Sequence, residues 1–327
     1  MAHLPAYNSP LGYRTELALM VEPRFKVAPT FGDKFTQDGI ISIQTQQRSK
    51  PFSSKTIFGT REDVHYLNTV FTGSIDVELT RGRFLNQLLY LMMGARAESG
   101  ATLPINTVFQ LQVYQQLPTF RLEFSHDLAG TPKMLIGCVM RSMRLSFSAN
   151  DTIVKGSFEF MAADLVDGAL VSTVEYNENE LPYQPFRTDV FIDDAILDPI
   201  IDQNNRIDRA LMFDISVARN AKFGQFSYQG IPSCFVHDEL SVTGNIEAIL
   251  DDPPDYYFLD NTLKSVVLLA VNQAGTSYVD LRMSSVRFGD STLPIRLGND
   301  IIKYRIPFVS VNEFGSGRIL KGETRLV

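Results

Sequence analysis

Five short segments recur in the same order along this chain. Tyr13-Arg14-Thr15-Glu16-Leu17 returns as Phe186-Arg187-Thr188-Asp189-Val190, and Phe71-Thr72-Gly73-Ser74-Ile75-Asp76 as Val242-Thr243-Gly244-Asn245-Ile246-Glu247. Ala129-Gly130-Thr131 returns as Ala274-Gly275-Thr276, and Met143-Arg144-Leu145 as Val286-Arg287-Phe288. Asn150–Lys155 is matched, with one gap, by Asn299–Lys303, after which Phe160 falls opposite Phe308. Any one of these matches is at chance level, but an ordered set points to a tandem duplication. The first copy runs from Tyr13 to Met161 and the second from Phe186 to Val311. We therefore expect two domains, 1–163 and 186–327, joined by a linker at 164–185. The acidic, polar run Glu175, Asn177, Glu178, Asn179 and Glu180, followed by prolines, suits a linker.

At 327 residues the chain is long enough for two cores. Alternation places Phe120, Leu122 and Phe124 on one strand face, Met143, Leu145 and Phe147 on another, and Tyr304, Ile306 and Phe308 on a third. One helix interrupts this pattern: Phe84, Leu85, Leu88, Leu89 and Met92 form a single stripe between Arg83 and Gly94. A weaker helix is expected after Pro253-Pro254, carrying Tyr256, Leu259 and Leu263. The fold class is mainly β: two copies of a β-sandwich or barrel domain, each with one flanking helix and a long β-hairpin arm.

The arms are polar stretches ahead of each Thr-Gly strand. The first is Ser42–Thr60, with Arg48, Lys50 and Lys55 around Phe52. The second is Ser216–Gly230, with Arg219 and Lys222 around Phe223 and Phe226. Both are basic within a chain of net charge −7. A loop this long in a compact domain is either a solvated hairpin or an arm that reaches another subunit, with the phenylalanine as its anchor.

Chemistry is hard to find. The histidines His3, His65, His126 and His237 have no zinc-binding spacing, and Cys138 and Cys234 form at most one bridge. No nucleophile elbow, phosphate loop or dinucleotide fingerprint is present. The acidic clusters Asp193, Asp194, Asp198, Asp202 and Asp208, and Asp251, Asp252 and Asp255, lack the spacing of a calcium loop and read as solvated surface. We expect no catalytic residues, no cofactor and no metal. The acidic balance, 30 Lys+Arg against 37 Asp+Glu, argues against a nucleic-acid-gripping surface. The longest apolar run, Val266–Val271, is far short of the ~20 residues that cross a bilayer. The N-terminus lacks the basic start and apolar run of a signal peptide. These features describe a soluble chain made in a reducing compartment.

The order strand, polar arm, Thr-Gly strand, helix, strand, Ala-Gly-Thr turn, strand and final hairpin resembles the tail tube (major tail) proteins of long-tailed bacteriophages. It is carried by Thr72-Gly73-Ser74-Ile75-Asp76 with the helix Arg83–Gly94, and by Thr243-Gly244-Asn245-Ile246-Glu247 with their C-terminal hairpins. The resemblance implies two packed β-sheets whose inner sheets join into a barrel around a channel. A duplicated chain would form trimeric rings of pseudo-sixfold symmetry that stack into a tube. It implies no enzyme and no membrane insertion, with the virion as location and the host cytoplasm as place of assembly. Partners would be further copies of the chain, tail-tip or baseplate, terminator and tape-measure proteins; double-stranded DNA would pass through without specific binding. An acidic bore would let DNA slide, with Asp76, Glu78, Glu159 and Glu247 as lumen-facing candidates. Alternatives are a terminator, tail-tip hub or inner-tube protein of the same lineage, a carbohydrate-binding β-sandwich, or a hydrolase on a β scaffold. The absence of Trp argues against the carbohydrate module. Ala95–Pro118 has no counterpart in the second copy and marks where the pseudo-symmetry breaks.

Overall fold

The computed structural model describes residues 15–28, 35–52, 63–79, 83–99, 105–112, 117–125, 132–151, 153–168, 183–194, 201–207, 210–219, 221–226, 232–236, 240–249, 262–272, 275, 277–289, 304–311 and 320–326. They are mainly β-strand with one α-helix. The first half contains β1 (Thr15–Glu22), β2 (Phe35–Phe52), β3 (Asp63–Glu78), α1 (Arg83–Met93), β4 (Gly94–Ser99), β5 (Ile105–Leu111), β6 (Thr119–Ser125), β7 (Lys133–Ser148), β8 (Lys155–Ala162) and β9 (Asp164–Asp167). The second contains β10 (Tyr183–Asp193), β11 (Ala210–Arg219), β12 (Lys222–Phe226), β13 (Pro232–Val236), β14 (Leu240–Ala248), β15 (Lys264–Asn272), β16 (Tyr278–Phe288), β17 (Tyr304–Ser310) and β18 (Leu320–Leu326).

The two halves share one pairing scheme, antiparallel throughout. In the first, β1 pairs β6, β6 pairs β7, β7 pairs β8 and β9, β8 pairs β3, and β3 pairs β2. In the second, β10 pairs β15, β15 pairs β16, β16 pairs β17 and β18, β17 pairs β14, and β14 pairs β11. Registers agree as well: Leu17 faces Phe124 where Val190 faces Leu268, and Gly73 faces Phe160 where Gly244 faces Phe308. The difference lies at β1, which also pairs β2; among the described residues its counterpart β10 has no ladder to β11.

Two local devices explain why these sequences take this shape. The first is a bulge. Leu122 faces Leu135 but Phe120 faces Cys138, and likewise Val266 faces Met283 but Lys264 faces Val286. The inserted residues reach positive φ at Gly137 (62°) and Ser285 (52°). Such bulges bend a strand and let it pass from one layer to the other. Beyond the bulge β7 and β16 indeed pair β8 and β17. This register corrects one sequence match: the counterpart of Val286-Arg287-Phe288 is Cys138-Val139-Met140, not Met143-Arg144-Leu145, since Met140 faces Phe160 as Phe288 faces Phe308.

The second device is the Thr-Gly motif. A Cβ on Gly73 would lie 2.4 Å from the Ser42 carbonyl oxygen and 2.7 Å from the Phe160 ring. On Gly244 it would lie 2.3 Å from the Asp214 carbonyl oxygen and 2.2 Å from the Phe308 ring. In each half the glycine leaves a seat for a cross-strand phenylalanine, which is why it recurs with that partner.

The alternating strands bury the expected face. Leu17, Leu19 and Leu122 share one buried cluster with Ile75, Phe158, Phe160 and Met143, and the cluster continues into Phe213, Ile246, Ile306 and Phe308 of the second half. The helix forms as expected, and its apolar stripe is buried together with Asn86 and Gln87. Asn86 donates to Thr107 Oγ1 (3.3 Å) and accepts from Thr324 Oγ1 (2.8 Å), satisfying a polar group deep between the halves. The insertion Ala95–Pro118 supplies most of β4 and all of β5, and β5 pairs β18, so the segment without a counterpart clasps one half to the other. Of the expected linker, Asp164–Asp167 is a strand of the first half and Tyr183 is buried, its N–H donating to the Leu79 carbonyl (3.0 Å). The helix expected after Pro253-Pro254 lies outside the described residues.

Candidate assembly surfaces

The halves lie side by side in one sheet. β7 and β11 pair from Ser142↔Ala218 to Ser148↔Met212, giving the strand order β2-β3-β8-β7-β11-β14-β17-β16. On the core side Phe147 stacks on Phe213 with ring centroids 5.6 Å apart. On the outward side Arg144 Nη2 and Nε donate to both oxygens of Asp214, at 2.5 Å and 2.9–3.1 Å. That fork raises the Arg144 pKa, through the hydrogen bonds first and the charge of Asp214 second.

Directly opposed residues of an antiparallel pair share a face. By these registers the outward face carries Ser42, Ser74, Asp76, Glu78, Lys155, Ser157, Glu159, Arg144, Asp214, Asn245, Glu247 and Arg305. All four sequence-nominated carboxylates, Asp76, Glu78, Glu159 and Glu247, therefore lie on one continuous surface. Their surroundings differ. Glu78 lies opposite Lys155 and Glu247 opposite Arg305, while Asp76 faces Ser157 and Glu159 faces Ser74 and Ser142.

Among the described residues one edge of this sheet is open. From Ile40 to Phe52, β2 pairs only β3 among the described residues, whereas its counterpart β11 is paired on both sides. Beyond Thr45 and Phe71, where β8 ends, β2 and β3 continue as a two-stranded ribbon out to Phe52↔Asp63, a reach of about 25 Å at the rise of a β-strand. Arg48, Lys50 and Phe52 lie on this ribbon, and Lys55 lies outside the described residues.

The second arm is built differently. β12 and β13 form their own small ribbon, which packs on the first half: Phe223 and Phe235 lie 6.4 and 5.6 Å from the Phe25 ring, and Ala221 and Phe235 cluster with Val139 and Met161. Lys222 is exposed, and Phe226 lies on β12. Arg219 turns inward. It is 3% exposed, and its guanidinium donates to the Gln112 carbonyl, beside the β5 clasp. Burial pulls its pKa down to about 10, leaving it charged at neutral pH. A side chain so placed holds the halves of its own chain together.

Both cysteines are free, and burial pushes the Cys138 thiol up, away from reactivity. Among the described residues no three His, Cys, Asp or Glu side chains gather as a metal site, and no helix is long and apolar enough to cross a membrane. What the geometry offers is surface: an open strand edge, a projecting ribbon and a broad polar sheet face. That is the equipment of a self-assembling β-protein. Residues 58–310 match the family profile described as phage tail tube protein, more than half of the chain, so the chain belongs to that family. It is a structural protein of the phage tail, found in the virion, that associates with copies of itself in a tube. No curated protein matches it.

Alternation alone made the four outward carboxylates legible. The Arg144–Asp214 fork and the Val139–Met161 patch were missed, because each joins residues far apart in sequence through a ladder between the halves. The nearest sequence signal was the repeated Thr-Gly strand, which fixes β11 as the counterpart of β2.

Proposed function

We propose that this chain arose by duplication of a tube domain and forms trimeric rings of pseudo-sixfold symmetry, which stack into the tail tube. The observation that carries this is the β7–β11 ladder: it joins the halves side by side and leaves the counterpart edge, β2, open. Repeating that junction between chains continues the sheet around a channel. A heterologous contact of this kind closes into a ring when its rotation divides the circle.

The polar sheet face lines the channel. Asp76, Glu78, Glu159 and Glu247 repel phosphate and let DNA slide, whereas a bore of unopposed Lys and Arg would hold it. The β2–β3 ribbon, which carries Arg48, Lys50 and Phe52, binds a neighbouring subunit together with Lys55, and exposed Lys222 belongs to the second ribbon. The tube ends meet tail-tip, terminator and tape-measure proteins.

Negative-stain electron microscopy of the purified chain at rising concentration, with light scattering alongside, tests the reading. Hollow tubes of uniform width whose rings average with threefold symmetry are expected. Single closed rings that never stack would instead favour a terminator. Sixfold rings of whole chains would overturn the trimer.

A further inference from the structure

We propose that the second half carries an unfilled counterpart of the patch that its own ribbon covers on the first half, and that in the ring this patch, Arg287, Val309 and Val311, is covered by the β2–β3 ribbon of a neighbouring chain. The inference rests on the ring reading and names the surface that joins one chain to the next.

The ladders define the correspondence. Val139 faces Met161 on the outward side of β7 and β8, and Arg287 faces Val309 on the outward side of β16 and β17. Ala163 and Val311 follow Met161 and Val309 by two residues. On the first half this surface is closed: Met161, 7% exposed, lies beneath the second half's ribbon, and Ala163, 3% exposed, is buried beside Gly137. On the second half it is open: Val309 is 41% and Val311 38% exposed. Arg287 stands where the first half has Val139; its aliphatic stem can line the same surface while its guanidinium stays at the rim.

The occupant follows from connectivity. β11 pairs β7, and the chain continuing past Arg219 into β12 and β13 is delivered onto Val139 and Met161. β2 is the counterpart of β11, and the chain continuing past Gln46 is the ribbon Gln47–Phe52 with Asp63–Thr69. A second half paired on the open β2 edge therefore receives this ribbon over Val309. It cannot be the same chain's second half. Five strands separate β2 from β17, roughly 25–30 Å at the spacing of a sheet. The partner is another copy of this chain.

Cysteine pairs test the contact in assembled tubes. In a Cys234→Ser background, Val309→Cys is combined in turn with Lys50→Cys, Pro51→Cys and Phe52→Cys, because a disulfide needs Cβ atoms about 4 Å apart. After oxidation, at least one pair is expected to give bands of two and three linked chains on a non-reducing gel, absent from each single variant. In parallel, Val309→Asp should raise the protein concentration needed for assembly about tenfold, with an unchanged circular dichroism spectrum, and Val309→Ile should stay within about twofold. Tubes of normal width in which all three pairs give only single-chain bands overturn the patch assignment and leave the tube reading standing. An unsubstituted chain that fails to assemble even on pre-formed tail tips overturns both.

Discussion

The two halves share one core pairing scheme, yet they close it differently. In the first half β1 closes onto β2, the outward patch is covered, and α1 is buried between layers. The second lacks the β10–β11 ladder among its described residues and shows two exposed valines at the corresponding patch. Their open elements are complementary: among the described residues the first half leaves one edge of β2 free from Ile40 to Phe52, and the second leaves Val309 and Val311 exposed. On the proposed reading, a duplication seals one junction inside the chain and reserves the other for assembly, so that stability and polymerisation become separable properties.

Substituting the Thr-Gly glycines strikes what the halves share. Gly73→Val and Gly244→Val each place a Cβ against both a backbone oxygen and a phenylalanine ring. Each is expected to destabilise the fold by about 3 kcal/mol or more, seen as a fall in thermal midpoint. If the halves use the device equally, the two losses agree within about 1 kcal/mol. A tolerated Gly244→Val would show that the second half is the looser one.

Charge reversal on the outward face next compares carboxylates opposite a cation with those opposite a hydroxyl. The cross-strand neighbours of Glu78 and Glu247 are Lys155 and Arg305, whereas Asp76 and Glu159 face hydroxyls. Asp76→Lys with Glu159→Lys should leave tubes intact and slow DNA release from phage carrying them, most strongly at low salt, where phosphate contacts are least screened. Release rates that do not change with these substitutions at any salt concentration would mean that this face does not line the channel.

The junction inside the chain is the third comparison. It has a stacked Phe147–Phe213 pair and a forked Arg144–Asp214 contact, while the residues of β2 that correspond to Phe213 and Asp214 are Ile41 and Ser42. Arg144→Met should cost about 1–2 kcal/mol, because Asp214 is mostly buried but the arginine reaches solvent. Assembly through the open β2 edge, as proposed, should proceed normally once the protein is folded. Urea denaturation and light scattering on the same sample separate the two effects.

Much of this was legible in the sequence for a simple reason. Period-two alternation and the stripe Phe84–Met92 are local, and burial obeys them. The matches Leu17 with Val190 and Gly73 with Gly244 survive in register because a partner strand reads each position. The match at Met143-Arg144-Leu145 did not survive, since a bulge shifts register with only Gly137 or Ser285 to mark it. Arg219 was misjudged for a related reason. Its basic side chain suited a solvated arm, and nothing local announced that β5, arriving from more than a hundred residues earlier, would bury it against Gln112.

The outermost clasps of the two halves give the smallest effect, and one with a definite sign. In the first half β9 is held to β7 by the exposed Lys133–Asp167 pair. In the second, Tyr278 of β16 donates its hydroxyl to Glu323 of β18 at 2.7 Å. Burial, and then the carboxylates of Glu323 and Asp280, push the Tyr278 pKa up to about 12 from 10. The folded state therefore keeps a proton that the unfolded chain releases, and this contribution is fully present below pH 10 and lost as pH rises towards 12. Because the side chain is partly solvated, the loss should be no more than about 1 kcal/mol. Tyr278→Phe removes the titration: the variant starts slightly less stable at neutral pH and loses less between pH 10 and 12. Chemical denaturation across that window measures it. Parallel curves for the two proteins would show that the Tyr278 hydroxyl gains nothing from Glu323 in the folded state, and that the β16–β18 ladder alone holds this edge.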